Sequence, residues 1–453
     1  MALINRREFL RGSGAGAAVT AALAAYPYPV VSQTIGTSTP FPDYKALVCV
    51  FLIGGNDSFN VLIPRSNAEY NVYAASRQNM SVPQADLLAI NPLTPDGADY
   101  GLHPMMGDVQ ALFESSRAAF IANVGPLIEP TTKQQYQDQS VVLPPQLFSH
   151  NDQEAQWFSL RGVNQSRTGW AGRIADLIQQ NVADQQMATN VSLFGNTLMQ
   201  SADQTVAYVM GNDGPIPFSG FGATVFGQAR RAAFLRVLNA NYDSIYERGF
   251  AEVQKRAVTS ADLISDALSG APVLTTEFPD TQLGRQLSAV SKLIAVRDQL
   301  QIQRQVFFVA MVGFDTHSDQ LLSHPGLLLN LSEALSAFYN ATVELGVSDS
   351  VTSFTQSDFG RRLTSNGDGT DHGWGGNQLV IGDAVAGREL YGTYPLLQRF
   401  GPDDAGGGTM IPTTSADQYV ATLAKWFGVP DADLEVVAPN ISNFGQIDLG
   451  FLI

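Results

Sequence analysis

Apolar residues run without a polar partner face through three stretches of the chain, Lys45 to Ile53, Ala118 to Val124 and Gln305 to Val312. A fourth, Val351 to Gln356, and a shorter one, Gln378 to Ile381, share their β-branched character, and Val191 to Phe194 is a further candidate strand. Strands with no polar face are buried on both sides, as in parallel sheets covered by helices. Between them the apolar spacing turns helical: Met106 to Ser115, Gly169 to Gln180, Ala223 to Ser269, Thr281 to Arg304 and Pro325 to Leu345. Gln146 to Glu154 opens another helix carrying Trp157, and Thr413-Thr414-Ser415 caps one from Ala416 to Phe427. Strand, helix and strand across 305–356 form a βαβ crossover, which predicts that its two strands are parallel. The pattern predicts an α/β fold, a mostly parallel central sheet with helices on both faces. It fills one large domain over 45–453, with a helical insertion around 223–304. His324, in a Ser-His-Pro turn, reads as a plain loop residue.

Composition narrows the class of partner. With 453 residues, 45% hydrophobic and 15% charged, the chain has material for a large core, and its net charge of −16 argues against nucleic acid. The one cysteine, Cys49, lies inside the first apolar run, so no intrachain disulfide is available and a buried thiol is expected. Asn5-Arg6-Arg7-Glu8-Phe9-Leu10-Arg11 fits a twin-arginine leader, followed by a Gly/Ala-rich apolar stretch and a cleavage site after Ala24. Residues 1–24 are thus expected to be a signal peptide read by the twin-arginine translocase, and 25–44 a linker. The mature protein is expected to be periplasmic or secreted, without a stable membrane span.

The polar punctuation at the strand ends carries the chemistry. Asp57 follows the first strand in GGNDSFN, Asp315 and His317 follow the third in GFDTH, and Asp358 follows the fourth in SDFGRR. A Gly-rich loop then leads to Asp371-His372. Ligands of doubly wound sheets bind outside the carboxyl ends of the strands, so parallel neighbours would aim these groups at one crevice. Carboxylates and imidazoles without thiolates suit a divalent metal ion such as zinc, manganese, iron, magnesium or calcium. Such an ion points to metal-assisted ester hydrolysis. Arg361 or Arg362 is a candidate to hold an anionic group of the substrate. Ser149 is either a helix cap, paired with Asp152 at capping-box spacing, or a nucleophile; His150 beside it is an acid–base or ligand candidate. Asp57 has the competing reading of a turn cap. Nucleophile-elbow, P-loop and H-E-x-x-H motifs are absent.

GGNDSFN, LHP, LFSHNDQEAQW, TGWAGR, GFDTHSDQ, SDFGR…DHGWGG and IPTTSADQYVATLAKWFGV together resemble the bacterial domain-of-unknown-function 1501 family, in order and over nearly the whole mature chain. The resemblance implies an alkaline-phosphatase-like fold within the alkaline phosphatase and sulfatase superfamily. By it, Asp57, Asp315, His317, Asp358 and His372 are metal ligands, and Ser149 falls where that superfamily keeps its nucleophile. The chain departs from the superfamily pattern in having Asp-x-His in one loop and Phe359 where a histidine would follow Asp358. No serine or cysteine has the C/S-x-P-x-R context of formylglycine sulfatases. The expectation is an exported metal-dependent hydrolase acting on an anionic phosphate- or sulfate-type ester. The alternative is a non-catalytic binding protein for another extracytoplasmic surface component.

Overall fold

The computed structural model describes residues 39–162, 166–216, 218, 220–222 and 224–453. The expected leader, 1–24, and most of the expected linker lie outside the described residues.

Lys45–Ile53 forms strand β1. Successive side chains go to opposite faces: Ala46, Val48, Val50 and Leu52 join one hydrophobic cluster, Leu47, Cys49 and Phe51 another. A small antiparallel sheet follows, made of β2 (Leu62–Pro64), β3 (Leu88–Ile90) and β4 (Tyr100–Leu102). The main sheet continues with β5 (Ala118–Gly125), β6 (Asn190–Ser192), β7 (Tyr208–Val209), β8 (Arg304–Val312) and β9 (Val351–Ser357). A hairpin of β10 (Arg361–Ser365) and β11 (Thr370–His372) leaves the sheet before β12 (Gly376–Ile381), β13 (Leu390–Tyr391) and β14 (Thr414–Ser415) return to it.

The strand order is β13-β5-β12-β9-β1-β8-β6-β7, with β14 also on β5. Neighbours are parallel throughout, except that β12 is antiparallel to both β9 and β5. The protein is therefore α/β with a large, mostly parallel mixed sheet. The two strands of the crossover are parallel as expected, with β1 inserted between them. The reversed strand matters for the site. Because β12 runs backwards, the loop that enters it reaches the same sheet edge at which β1, β8 and β9 end.

Helices cover both faces. Gly107–Glu114, Gln282–Ala295 and Gln320–Glu344 place Phe113, Leu287 and Leu335 in one cluster. His150–Ser159, Trp170–Ile178 and Ala416–Phe427 place Trp157, Ile174 and Val420 in the other. Ser415 caps the last of these through a capping box with Gln418.

Three expectations need correction. The helical run does not extend to Arg304: it stops at Ala295, and Arg304 opens β8. Turns keep Leu300 and Ile302 buried, so apolar spacing alone could not mark the end. The crossover helix begins at Gln320, about one and a half turns before Pro325, so the proline lies inside the helix, where it gives up one backbone hydrogen bond. His324 is accordingly a buried helical residue whose Nε2 lies 3.1 Å from Asn56 Oδ1, not a loop residue.

Candidate metal centre

The turn after β1 brings its loop close under the loop after β8. Gly54 sits at φ +116°, and a Cβ there would lie 2.3 Å from the Asp315 backbone nitrogen; only glycine fits. Asp315 then stands half-exposed at the carboxyl edge of the sheet. Around its Oδ1 three imidazole Nε2 atoms gather: His317 at 3.1 Å, His372 at 3.4 Å and His150 at 3.5 Å. His317 comes from the same loop, His372 from the end of β11 ahead of the reversed strand, and His150 from the first position of the His150–Ser159 helix. His150, Asp315 and His372 each present a ligand atom within 4.8 Å of the others.

Two of the imidazoles are fixed in a ligand-ready tautomer. His372 Nδ1 lies 2.7 Å from the Phe148 carbonyl oxygen, and His150 Nδ1 lies 2.6 Å from Asp358 Oδ2. Both partners only accept, so both Nδ1 atoms carry the proton and both Nε2 atoms keep a lone pair. His150 Nε2 is buried and makes no hydrogen bond. His317 Nε2 is 2.8 Å from His372 Nε2, and its Nδ1 has Asp371 Oδ1 at 3.4 Å, a carboxylate its proton can turn to. A buried imidazole nitrogen without a partner, beside oriented neighbours and a carboxylate, is a donor set that fits a divalent cation.

The remaining expected site residues take other places. Asp358 is buried: its Oδ1 accepts the Gly54 N–H at 3.1 Å while Oδ2 holds His150, so it stands behind a ligand rather than beside an ion. Asp57 is fully buried, bonded to Arg77 and to Gln320 Nε2, and lies outside the gathered group. Arg361 is buried too and is not open to a substrate anion. It donates to Gly54 O at 2.9 Å, to Asp315 Oδ1 at 2.8 Å and to Thr370. Gln320 accepts from Thr370 Oγ1 at 2.6 Å, so a continuous buried network runs from Arg77 and Asp57 to Arg361 and the exposed Asp315. Ser149 occupies the N-cap position without capping the backbone; its hydroxyl donates to Asp152 Oδ2 at 2.6 Å. Phe359 packs on His150 and His372, with ring centroids at 4.8 and 4.6 Å.

Electrostatics follow this geometry. Burial works to raise the Asp315 pKa, but the Arg361 hydrogen bond and charge, helped by His317 and His150, bring it below the usual carboxylate value. Desolvation lowers the His372 pKa; the Phe148 hydrogen bond opposes this, and His150, Arg361 and His317 add to it. An anionic carboxylate and neutral imidazole are the forms a metal needs. Sequence reasoning missed Phe148, Arg77 and Glu154. The Glu154 carboxyl, one turn after His150, is raised to about 7 by burial and by Asp358, with His150 opposing. It therefore holds a proton near neutrality, although a cation at the imidazoles would pull that value down. His-to-Glu spacing of i, i+4 on the predicted helix was the signal available for it; the backbone carbonyl of Phe148 left none.

An α/β sheet whose carboxyl edge carries an imidazole–carboxylate cluster defines the class of protein. The chain belongs to the family described as "Protein of unknown function (DUF1501)", whose model matches residues 44–406. A search of curated proteins finds no match. Among solved structures, the chain is similar to Ps i-CgsB in complex with k-i-k-neocarrahexaose, at 11% identity over 89% of this chain and 75% of that one, TM-score 0.34. Ps i-CgsB alone gives 9% identity, 88% and 72% coverage and a TM-score of 0.31. A protein from a study of glycosaminoglycan metabolism by Bacteroides thetaiotaomicron gives 8% identity, 86% and 74% coverage and a TM-score of 0.30. Likenesses of this size carry no argument about activity. No helix among the described residues is long and apolar enough to cross a membrane.

Proposed function

We propose that the chain is a metal-dependent hydrolase of phosphate- or sulfate-type esters that works outside the cytoplasm, exported through the twin-arginine translocase. The observation that carries the proposal is the convergence of His150, His317 and His372 Nε2 on Asp315 Oδ1, with two of the imidazoles held in the ligand tautomer. These four residues hold the ion. Three imidazoles and one carboxylate favour zinc over magnesium or calcium, which take oxygen ligands. A bound divalent cation supplies Lewis acidity toward an ester oxygen. Ser149 is the nucleophile, at the start of a helix whose free backbone N–H groups favour an anionic group, and Asp152 receives its proton. Arg362, partly exposed with its Nη1 4.0 Å from Asp371, takes the anion-binding role that Arg361 cannot. The reading sets the chain beside the alkaline phosphatase and sulfatase superfamily, with one metal rather than two because Arg77 already neutralises Asp57.

Elemental analysis of protein purified without chelator, joined to turnover of aryl phosphate, phosphodiester and sulfate esters, tests this. One equivalent of metal, lost in Asp315→Ala together with turnover, is expected. Less than stoichiometric metal, unchanged by Asp315→Ala, would remove the metal and the hydrolase together. Stoichiometric metal without turnover of any ester would leave only a binding protein.

A further inference from the structure

At the other end of the sheet a cavity of about 620 Å³ opens between edge strand β7, the Trp170–Ile178 helix and the long Ile245–Ser269 helix. That volume is typical of small-molecule sites. The register pairs Asn190, in β6, with Val306 near the start of β8, whereas Asp315 follows its end. The six residue steps from Val306 to Val312 alone separate the two sites by roughly 20 Å. The cavity is thus not part of the histidine cluster.

Its walls are mainly apolar, with Val182, Met187, Val206, Val209, Val253 and Ala257. Val253 is 60% exposed and Val206 79%, so the apolar lining continues to the mouth. Among the polar residues that interrupt it, two stand out. Asn190 is 2% exposed; its Nδ2 donates to Ala171 O at 3.0 Å, but its Oδ1 is buried with no partner. A buried amide oxygen left without a donor is unfavourable, and a ligand donor would satisfy it. At the rim stands Arg256, the one charged residue of the lining, exposed and without an ion pair among the described residues. On a chain of net charge −16, an unpaired guanidinium over an apolar cavity is a local attraction for an anion.

We propose that this cavity binds an amphiphilic monoanion: an apolar chain or ring system between the walls, a hydroxyl or amide N–H donating to Asn190 Oδ1, and a carboxylate or similar head group at Arg256. A long-chain hydroxy acid and a lipid fragment share this chemistry. The site is independent of the metal centre and of whether that centre is catalytic.

Isothermal titration of the intact protein with 10-hydroxydecanoate, decanoate and 1,10-decanediol tests it. The first probe carries both polar ends; the second lacks the distal hydroxyl, and the third lacks the charge. The hydroxy acid is expected to bind tightest. Arg256→Gln, a change at an exposed unpaired residue, should weaken it about tenfold and leave the diol unchanged. Ala257→Trp, which fills the cavity, should abolish binding of all three probes. Absence of binding by any probe to the wild type overturns the proposal. So does equal affinity of Arg256→Gln for the hydroxy acid, or undiminished binding to an Ala257→Trp protein whose melting temperature matches the wild type. Binding of a shorter dicarboxylate in preference to all three would replace the amphiphile by a polar anion and likewise overturn it.

Discussion

Replacing Asp358 by asparagine changes one atom of a buried side chain and isolates the orientation of His150. In the wild type Oδ1 accepts the Gly54 N–H at 3.1 Å and Oδ2 accepts from His150 Nδ1 at 2.6 Å. Asparagine can serve only one of those donors. If its oxygen keeps Gly54, its NH₂ faces His150 Nδ1 and the proton moves to Nε2, which then has no lone pair for a metal. If its oxygen keeps His150, the NH₂ opposes the Gly54 N–H, and a buried donor goes unsatisfied at about 1–3 kcal/mol. Both outcomes fall in the range seen when the group that holds a metal-binding histidine is replaced, a loss of about 10- to 100-fold in affinity. Competition for zinc against a chromophoric chelator measures this directly, and thermal unfolding in excess chelator reports the fold separately. An affinity within twofold of wild type, in a protein of unchanged chelator-treated stability, would refute the assignment of Asp358 as the group that orients His150.

Other perturbations address the surrounding structure. Burial lowers the pKa values of His103 and His324 to about 4, against 6.5 when exposed. Above pH 6.5 both are neutral folded or unfolded and stability is fully present. As pH falls from 6.5 toward 4 the unfolded chain takes up the protons first, and up to about 3 kcal/mol per histidine is lost. Glu154 and Asp417, both raised to about 7 by burial, act in the opposite sense, so the test is a difference: the urea midpoint of the wild type relative to His324→Gln should fall between pH 6.5 and 4.5, and parallel profiles would contradict this. Arg77→Met leaves Asp57 charged and buried without its cation, expected to cost about 3–5 kcal/mol in urea unfolding; adding Asp57→Asn should restore most of it, and a double variant no better than the single one would count against the pair. Gly54→Ala drives a methyl into the Asp315 backbone at a φ that alanine resists, so zinc affinity should fall with stability; full retention of both would show that the two loops move apart freely.

The sheet was legible because its strands have no polar face. Lys45–Ile53 and the Val306–Val312 part of β8 follow from apolar runs, β9 (VTSFTQS) from its place after the crossover helix, and the capping box at Ser415 marks its helix to the residue. The convergence of strand-end acids was half legible. Asp315 and Asp358 reach the same cluster, but their roles differ because one stands at the surface and the other is buried behind His150. Asp57 carries the same sequence signature, yet a distant arginine on the Asn67–Arg77 helix claims it; no spacing rule connects Arg77 to Asp57 in that way. Arg361 reads as a substrate clamp because arginines near a strand end are usually exposed. The β10–β11 hairpin folds it inward, onto the carbonyl of Gly54 and the side chain of Thr370. His372 needed the reversed direction of β12, and His150 the path of the chain before its helix, neither of which periodicity encodes.

The position of β1 also has a kinetic side. It is the first strand of the sheet to leave the ribosome, yet both its neighbours come much later, at residues 304–312 and 351–357. Its nine residues, apolar except for Lys45, have no sheet partner until more than two thirds of the chain has been made, and such non-local pairing is slow. Until then this strand is an unpaired hydrophobic template, prone to stick to other chains. Synthesis that outruns docking of β8, or truncation before residue 304, should therefore yield aggregates rather than a soluble N-terminal fragment, and the imidazole cluster, built from loops on both late strands, is among the last features to form.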